Sequence, residues 1–463
     1  MKFRTGLLLT AAFSLGVLAS PISSLVEHYT GTNLLSPAQA QSSAAGAAKS
    51  DPYALLNLFA DVFEKVRAEY VEPVKDREMI ESALSGMLAG LDPHSRYITP
   101  KAYKDQQVEQ KGEFGGLGIE VTQEAGVIKV ISPIDDTPAK RAGVKAGDLI
   151  VAIDGVTVLG MSLESAVEKM RGAPNTKINV TIRRDGADKP IQISMTREAI
   201  KIQVVKSRLE GDIAYIRLSS FMSEQAESSI RRAFNTLRDQ AGGKLRGVVL
   251  DLRSNPGGLL DQAVAVSNDF MRQGEIVSIR GRRNEESQRW QAKNGDITDG
   301  LPLVVLIDGG SASASEIVAG ALQDHRRAIV VGQRSFGKGS VQTVIPLGPN
   351  GAMALTTARY YTPSGRSIQG LGFMPDVEVA LTREEKPRFG PSRESDLNGI
   401  ITNKGGAPTD SLAARTDMPA VVKDIPKLPP ENAPVFDPAK PETDFQLQQG
   451  LVVVRAMQVA ASR

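Results

Sequence analysis

The chain has 463 residues, 41% hydrophobic and 5% aromatic, with 55 Lys plus Arg against 53 Asp plus Glu and a formal net charge of +2. That near balance gives no electrostatic footprint for a polyanion, so no nucleic-acid partner is expected. Cys is absent, and the three His (His28, His94, His325) show no paired spacing, which excludes disulfides, thiol catalysis, thiolate zinc sites and H-E-x-x-H zinc chemistry. Length alone suggests about three domains.

At the N-terminus Lys2 and Arg4 precede an apolar run at 6–19 and the small triplet Ala38-Gln39-Ala40. The run is shorter than the about 20 residues that span a bilayer. Residues 1–40 therefore read as an export signal or a membrane anchor, with cleavage after Ala40, cleavage near Ala19 and no cleavage all open. Residues 41–51 are Ala/Gly/Ser-rich and read as a flexible tether.

Residues 52–104 read as an N-terminal helical region. Leu55, Leu58, Phe59, Val62, Phe63 and Val66 form one stripe, and Met79, Ile80, Ala83, Leu84, Met87 and Leu88 form another, until Asp92-Pro93 stops the second helix. These helices are either a cap on the fold or an oligomerisation arm.

From 112 to 197 the pattern changes to short strands with turn punctuation. Phe114-Gly-Gly-Leu-Gly-Ile-Glu-Val121 is a glycine-rich turn running into an alternating strand, and Ser162 is positioned to cap a helix over 162–170. Strands are expected at 178–184 and 191–196. Successive N–H groups at Gly116, Leu117, Gly118 and Ile119 can form an anion nest for a chain-terminal carboxylate, and the strand edge beyond can take a peptide. A helix bearing Ala166, Val167 and Met170 would wall a pocket for its last apolar side chain. This ordered set resembles a PDZ domain of the bacterial protease-associated kind.

Residues 246–270 read strand, glycine turn, helix, with Asn255-Pro-Gly-Gly258 as the turn; 301–332 repeats that plan. Such alternation implies a parallel or mixed α/β core, whose functional groups gather at the carboxyl ends of the strands. Both glycine turns lie there. Residues 383–440, rich in Pro, Asp, Lys and Gly, are expected to be mostly disordered or loosely attached. After them Phe445, Leu447, Leu451, Val452, Val454 and Met457 predict an amphipathic helix over 443–463, packed on the body or docked to a second subunit.

Three alternating serines fill Ser311-Ala-Ser-Ala-Ser-Glu316, and Phe336-Gly-Lys-Gly-x-x-Gln342 follows the next strand. A serine hydroxyl needs a base, and with so little His available Lys338 is the natural one, since burial disfavours its ammonium form. An extended segment after Gly339 would put Lys338, Ser340 and Gln342 on one face, so that Gln342 could orient the amine. A phosphate-binding loop is rejected, because Gly339 replaces the hydroxyl residue and a strand pattern follows. His325, at a helix end before Arg326-Arg327, reads as a dipole-complementing residue and not a triad member.

Together these residues resemble the carboxyl-terminal processing, or tail-specific, proteases. The likeness covers about 52–379 and rests on Asp92-Pro-His-Ser-x-Tyr97, the PDZ segment, Asp251-Leu-Arg-x-Asn-x-Gly-Gly258, the serine turn and Gly337-Lys-Gly-x-x-Gln342. The resemblance implies a multidomain α/β and α+β fold. In it a PDZ domain is inserted ahead of a crotonase/Clp-protease-like α/β protease core at 198–382, with an N-terminal helical arm. It implies a serine endopeptidase with no cofactor or metal: Ser313 as nucleophile, Lys338 as general base, Gln342 as the hydrogen-bonding partner of that base. The oxyanion hole would be the N–H groups of Ala314 and of Gly258, or else Gly257. Arg171 becomes a candidate switch, against the plain reading of a solvated or carboxylate-paired surface Arg. Expected partners are protein substrates with apolar C-termini, an adaptor protein, and a second copy of the chain through the terminal helices. The expected location is the periplasm, free or associated with the inner membrane. The alternative function is a PDZ-based peptide-binding scaffold on an inactive protease core.

Overall fold

A computed structural model describes residues 51–461 apart from 125, 135, 284, 286, 294, 384–392, 404–414 and 438–439. The expected export segment at 1–40 and the tether up to residue 50 lie outside the described residues. The chain divides into two units, Met1–Met79 and Ile80–Arg463.

In the first unit, Asp51 caps α1 (Pro52–Glu69), accepting the Tyr53 N–H at 3.0 Å, and Pro52 opens the helix where its missing N–H does no harm. The expected stripe exists, but α1 buries no residue, and Leu55, Leu56, Leu58, Phe59 and Val62 are exposed. Helix α2 (Asp76–Ala89) spans the boundary between the units.

The second unit begins with a turn built on Asp92. Its carboxylate accepts the N–H groups of His94 and Ser95 at 2.9 and 3.0 Å and the Ser95 hydroxyl at 2.6 Å. That turn redirects the chain into β1 (Arg96–Ile98), which pairs antiparallel with the later strand Ala352–Tyr361. The region read as helical over 52–104 thus contains a strand of the core. Helix α3 (Pro100–Lys111) then runs past 104, because Thr99 caps it and Gly112, in the left-handed region, ends it.

The inserted domain is entered by β2 (Glu113–Gly116). It continues through β3 (Ile119–Glu124), β4 (Val127–Pro133), α4 (Pro138–Arg141), β5 (Leu149–Ile153), β6 (Val156–Thr157), α5 (Leu163–Met170), β7 (Lys177–Arg183) and β8 (Ile191–Thr196). It is left by β9 (Glu198–Lys201), which pairs with β2 and closes the neck. The main sheet has the order β3-β4-β5-β7-β8, so β3 is an edge strand. In β7 Ile178, Val180 and Ile182 are buried while their neighbours are not, the period-two signature of a half-buried strand. They pack with Ile128, Val130, Ile150, Ala166 and Met170.

The core follows: β10 (Val205–Glu210), β11 (Ile213–Leu218), α6 (Ala226–Gln240), β12 (Gly247–Asp251), α7 (Leu260–Asn268), β13 (Glu275–Gly281), β14 (Gln288–Gln291), β15 (Leu303–Ile307), α8 (Ala314–Asp324), β16 (Ile329–Gly332), β17 (Ser340–Pro346), β18 (Ala352–Tyr361), β19 (Val377–Glu378) and α9 (Phe445–Ala461). One sheet has the order β10-β11-β12-β15-β16-β19, parallel from β11 onward. A second sheet gathers β1, β13 and β17 around the long β18, with β14 beyond β13. Every residue of β12 and β15 is buried, as expected of parallel strands covered on both faces. Val248, Leu250, Val305 and Ile307 pack with Ile230 and Phe234 of α6, Val266 of α7 and Val318 and Leu322 of α8. Val249, Val304 and Leu306 pack on the opposite face with Leu447, Leu451 and Val454 of α9.

The helix over 445–461 therefore packs back on the body, and its apolar face covers the sheet. Residues 383–440 were expected to lack packing, yet their described parts lie on the core. Val422 and Glu394 are buried, and the Ala380 N–H donates to Lys427 O at 2.8 Å. The segment is held by bonds to the body and by short turns of its own, neither of which repeats, so no periodicity betrays it. Among the described residues no helix is long and apolar enough to cross a membrane.

Candidate active site

The three serines after β15 have three different fates. Ser311 is buried, its hydroxyl donating to Leu252 O at 2.8 Å and accepting the Asp308 N–H at 2.9 Å. Ser315 is buried too, donating to Asn255 O at 2.8 Å. Ser313 alone is presented to solvent, as the residue preceding α8, with φ +54° and ψ −113°. A side chain other than Gly in that region stores roughly 1–3 kcal/mol of strain, and such strain concentrates where a hydroxyl is held out at a strand-to-helix elbow.

The glycine turn after β12 lies directly against this elbow. A Cβ added at Gly257 (φ +98°) would fall 2.8 Å from both Ala314 N and Ser313 Cβ. One at Gly258 (φ +149°) would fall 2.3 Å from the carbonyl carbon of Phe221. No other residue fits either place. The Gly257 N–H is taken by Asn255 Oδ1 at 2.9 Å, whereas neither the Gly258 nor the Ala314 N–H has a partner among the described residues. Asp308 fastens the two turns together, accepting the Ser254 N–H at 2.8 Å and hydroxyl at 2.9 Å.

Lys338 lies in the loop between β16 and β17. The Glu316 carboxylate, fully buried one turn into α8, accepts the N–H groups of Ser313 (2.7 Å), Gly337 (2.7 Å) and Lys338 (2.9 Å) and the Ser335 hydroxyl (2.5 Å). One side chain thus ties the serine elbow to the lysine loop. Burial pushes its carboxyl up to about 7 against the pull of those four donors. The Tyr360 hydroxyl donates to Ser313 O at 3.2 Å and to Lys338 O. Burial beside Glu316 and Glu394 holds that phenol well above its ordinary value, so it remains a donor. Burial lowers the Lys338 pKa, with Arg96 pushing the same way and Glu394, Glu316 and Asp92 opposing.

Gln342 departs from the expected arrangement. Its Nε2 donates to Ser340 Oγ at 3.0 Å and Thr356 Oγ1 at 3.2 Å, and the Lys338 ammonium makes no hydrogen bond to a described residue. Strand β17 begins only at Ser340, and its register against β18 shifts between Val341 and Gln342, so a strict two-residue alternation does not run from Lys338 to Gln342. Ser340 and Gln342 do meet, as expected.

In the inserted domain, Leu117 and Gly118 leave their N–H groups without hydrogen bonds among the described residues, at the start of edge strand β3. Gly116 ends β2 and Ile119 begins β3. On α5, Met170 is buried in the domain core, while Val167 is only partly covered. Arg171, the residue after α5, lays its guanidinium over the Phe114 ring, 4.7 Å from the centroid. Both line a cavity of about 790 Å³ that also touches Arg96, Ile98, Ile202 and Met222. Arg171 is therefore an aromatic-stacked residue at the junction of the inserted domain and the core, the two elements it was expected to couple.

The profile of peptidase family S41 matches residues 212–379, that of the PDZ domain 115–195, and that of the activating protease CtpB N-terminal domain 22–102. The carboxy-terminal-processing protease of Bartonella bacilliformis is 50% identical over 410 residues, which are 88% of this chain and 90% of that one. The chain belongs to the carboxy-terminal-processing proteases. The Synechocystis carboxyl-terminal-processing protease is 38% identical over 323 residues, covering 68% and 74% of the two chains. A solved photosystem II D1 C-terminal processing protease is 32% identical, covering 68% of this chain and 85% of that one, with a TM-score of 0.41.

This carboxy-terminal-processing protease is a serine-type peptidase carrying a PDZ domain. Its His325 sits at the far end of the eleven-residue α8 from Ser313, roughly 18 Å away along the axis, bonded through Nε2 to Glu275 O at 2.7 Å. It takes no part in the site. Sequence reasoning quoted Glu316 as part of a motif but gave it no task, and missed Tyr360 and Glu394. A carboxylate three residues after a helix-capping serine is a capping-box signal, which would have pointed to Glu316. Tyr360 and Glu394 approach only through the fold.

Proposed function

We propose that this protease is an exported endopeptidase using Ser313 and Lys338, with substrates chosen by an apolar C-terminus held on the PDZ domain. The observation that carries the reading is that one buried carboxylate, Glu316, is bonded at once to the backbone of Ser313 and of Lys338. Neutral Lys338 takes the Ser313 Oγ proton as Oγ bonds to the scissile carbonyl carbon. The carbonyl π electrons move to oxygen, which the free N–H groups of Gly258 and Ala314 receive at a helix start whose dipole favours negative charge. Lys338 returns the proton to the amide nitrogen as the C–N bond breaks, and water then follows the same route to release the acid. Gln342 Nε2 is committed to Ser340 and Thr356, which leaves its Oε1 to accept from the lysine. Arg171, stacked on Phe114 beside the carboxylate loop, carries occupancy of the PDZ site towards the core.

The fraction of neutral lysine grows with pH, so hydrolysis should rise with pH. Because burial lowers the amine, the midpoint should lie below the 10.5 of a free lysine. Lys338→Arg, whose guanidinium stays charged at any accessible pH, should abolish the rising limb. A flat profile of kcat/KM for the wild-type enzyme would exclude a lysine base. Export is supported by the charged, apolar and small-residue pattern at 1–40, and leads to a periplasmic location for the mature protein.

Self-association is proposed through α1, whose apolar side chains are exposed; α9 has already used its own apolar face. Val62→Glu should reduce the mass measured by light scattering to that of the single chain, and an unchanged mass would dismiss α1 as the arm.

A further inference from the structure

We infer that Glu394, from the segment beyond the protease core, is a positioning residue for the Lys338 loop, acting on it through partners that Glu316 does not use. The inference rests on Lys338 acting as the base. Glu394 is fully buried, in a stretch that lies past the residues matched by the peptidase profile. Its N–H donates to Phe336 O at 3.0 Å, just ahead of the lysine. Its Oε1 accepts Gln369 Nε2 at 2.9 Å, and Gln369 Oε1 in turn accepts the Gly339 N–H at 2.8 Å, just after the lysine. The loop has no slack on this side: a Cβ on Gly339 would come 2.7 Å from Gln369 N. The loop is therefore held ahead of the lysine by the Glu394 backbone, behind it by Gln369 braced on the Glu394 carboxylate, and at its centre by Glu316.

The same carboxylate meets His94 Nε2 at 2.9 Å through both oxygens, which gives a buried acid the partner it requires and ties the Asp92 turn to the loop. The charged groups around the lysine are Glu394, Glu316 and Asp92, which favour its ammonium, and Arg96, which opposes it; His94 and Tyr360 complete the ring of titratable groups. Among the charges, Glu394 is the strongest influence in favour of the ammonium. Glu394 therefore holds the loop in place and also sets how readily its amine gives up a proton.

The test uses the full-length enzyme and Glu394→Gln, which preserves size, can still accept from Gln369 and can still pair with His94, but carries no charge. The rising limb of the kcat/KM profile should move to lower pH, because the ammonium loses its main support. Glu394→Ala, which keeps the backbone bond to Phe336 O but removes the carboxylate that braces Gln369 and His94 behind the lysine, should lower kcat by about 10²-fold at unchanged KM, the scale of a small misplacement of a reacting group. A limb unmoved in Glu394→Gln, or a wild-type kcat in a folded Glu394→Ala, would overturn the inference. If Glu394→Ala does not fold, the Glu394→Gln profile decides alone. Failure of the underlying reading looks different, since the wild-type enzyme itself would then have no rising limb.

Discussion

Ser313→Ala is expected to lower kcat for cleavage of an unfolded protein by about 10⁶-fold, the loss seen when a serine hydrolase is stripped of its nucleophile. Binding of a C-terminal peptide to the PDZ domain should be unchanged, because the Ser313 hydroxyl has no part in that edge strand. The neighbouring serines make the contrast. Ser311→Ala and Ser315→Ala remove hydroxyls that satisfy buried groups, Leu252 O with the Asp308 N–H in one case and Asn255 O in the other. Each should cost about 1–3 kcal/mol of stability and leave a folded enzyme that still cleaves. Equal cleavage by the wild type and Ser313→Ala would remove Ser313 from the mechanism. No cleavage by either, with peptide binding intact, would favour a binding scaffold on an inactive core.

Arg253→Ala is the second large effect, on stability. The Arg253 guanidinium is buried between two carboxylates: Asp251 at 3.0 and 2.7 Å, and Asp444 at 2.8 and 2.7 Å, with Gln446 Oε1 at 3.1 Å. Burial alone would raise Asp251; Arg253, Arg217 and the Tyr215 hydroxyl hold it below the ordinary carboxylate range. Removing the arginine leaves buried acids without their counter-charge, for which a loss of about 3–5 kcal/mol is expected. Lys cannot restore the planar fork, so Arg253→Lys should recover little. Because residues 253–258 run straight into the glycine turn, kcat should fall as well. A urea midpoint equal to that of the wild type would show that the pairing contributes nothing net.

The parts of this molecule legible in its sequence are those that repeat a local pattern. Gly247–Asp251 and Leu303–Ile307 read as buried parallel strands because every residue is apolar or small until the end. Their composition did not say which residues face α6, α7 and α8 and which face α9, since both faces are covered. The glycine turn and serine turn were legible through residue types that few other conformations need. The phase of Lys338 relative to Gln342 was not, because Lys338 lies outside β17 and the strand itself shifts register between Val341 and Gln342. Glu394 was hidden for a different reason. A proline-rich stretch has no period to read, and its one buried carboxylate looks like any solvated acid until His94 and Gln369 are brought to it from 300 and 25 positions away in sequence.

Helix α9 also orders events in time. A chain emerging from its N-terminus can form the PDZ domain, both glycine turns and the lysine loop before residue 444 exists. Until then the face of the sheet with Val249, Val304 and Leu306 lacks its cover by Leu447, Leu451 and Val454, and Arg253 lacks one of its two acid partners. The docking of α9 completes both at once. Docking of α9 therefore joins the cover of the sheet to the charge balance of Arg253, on the stretch that leads into the glycine turn at 255–258.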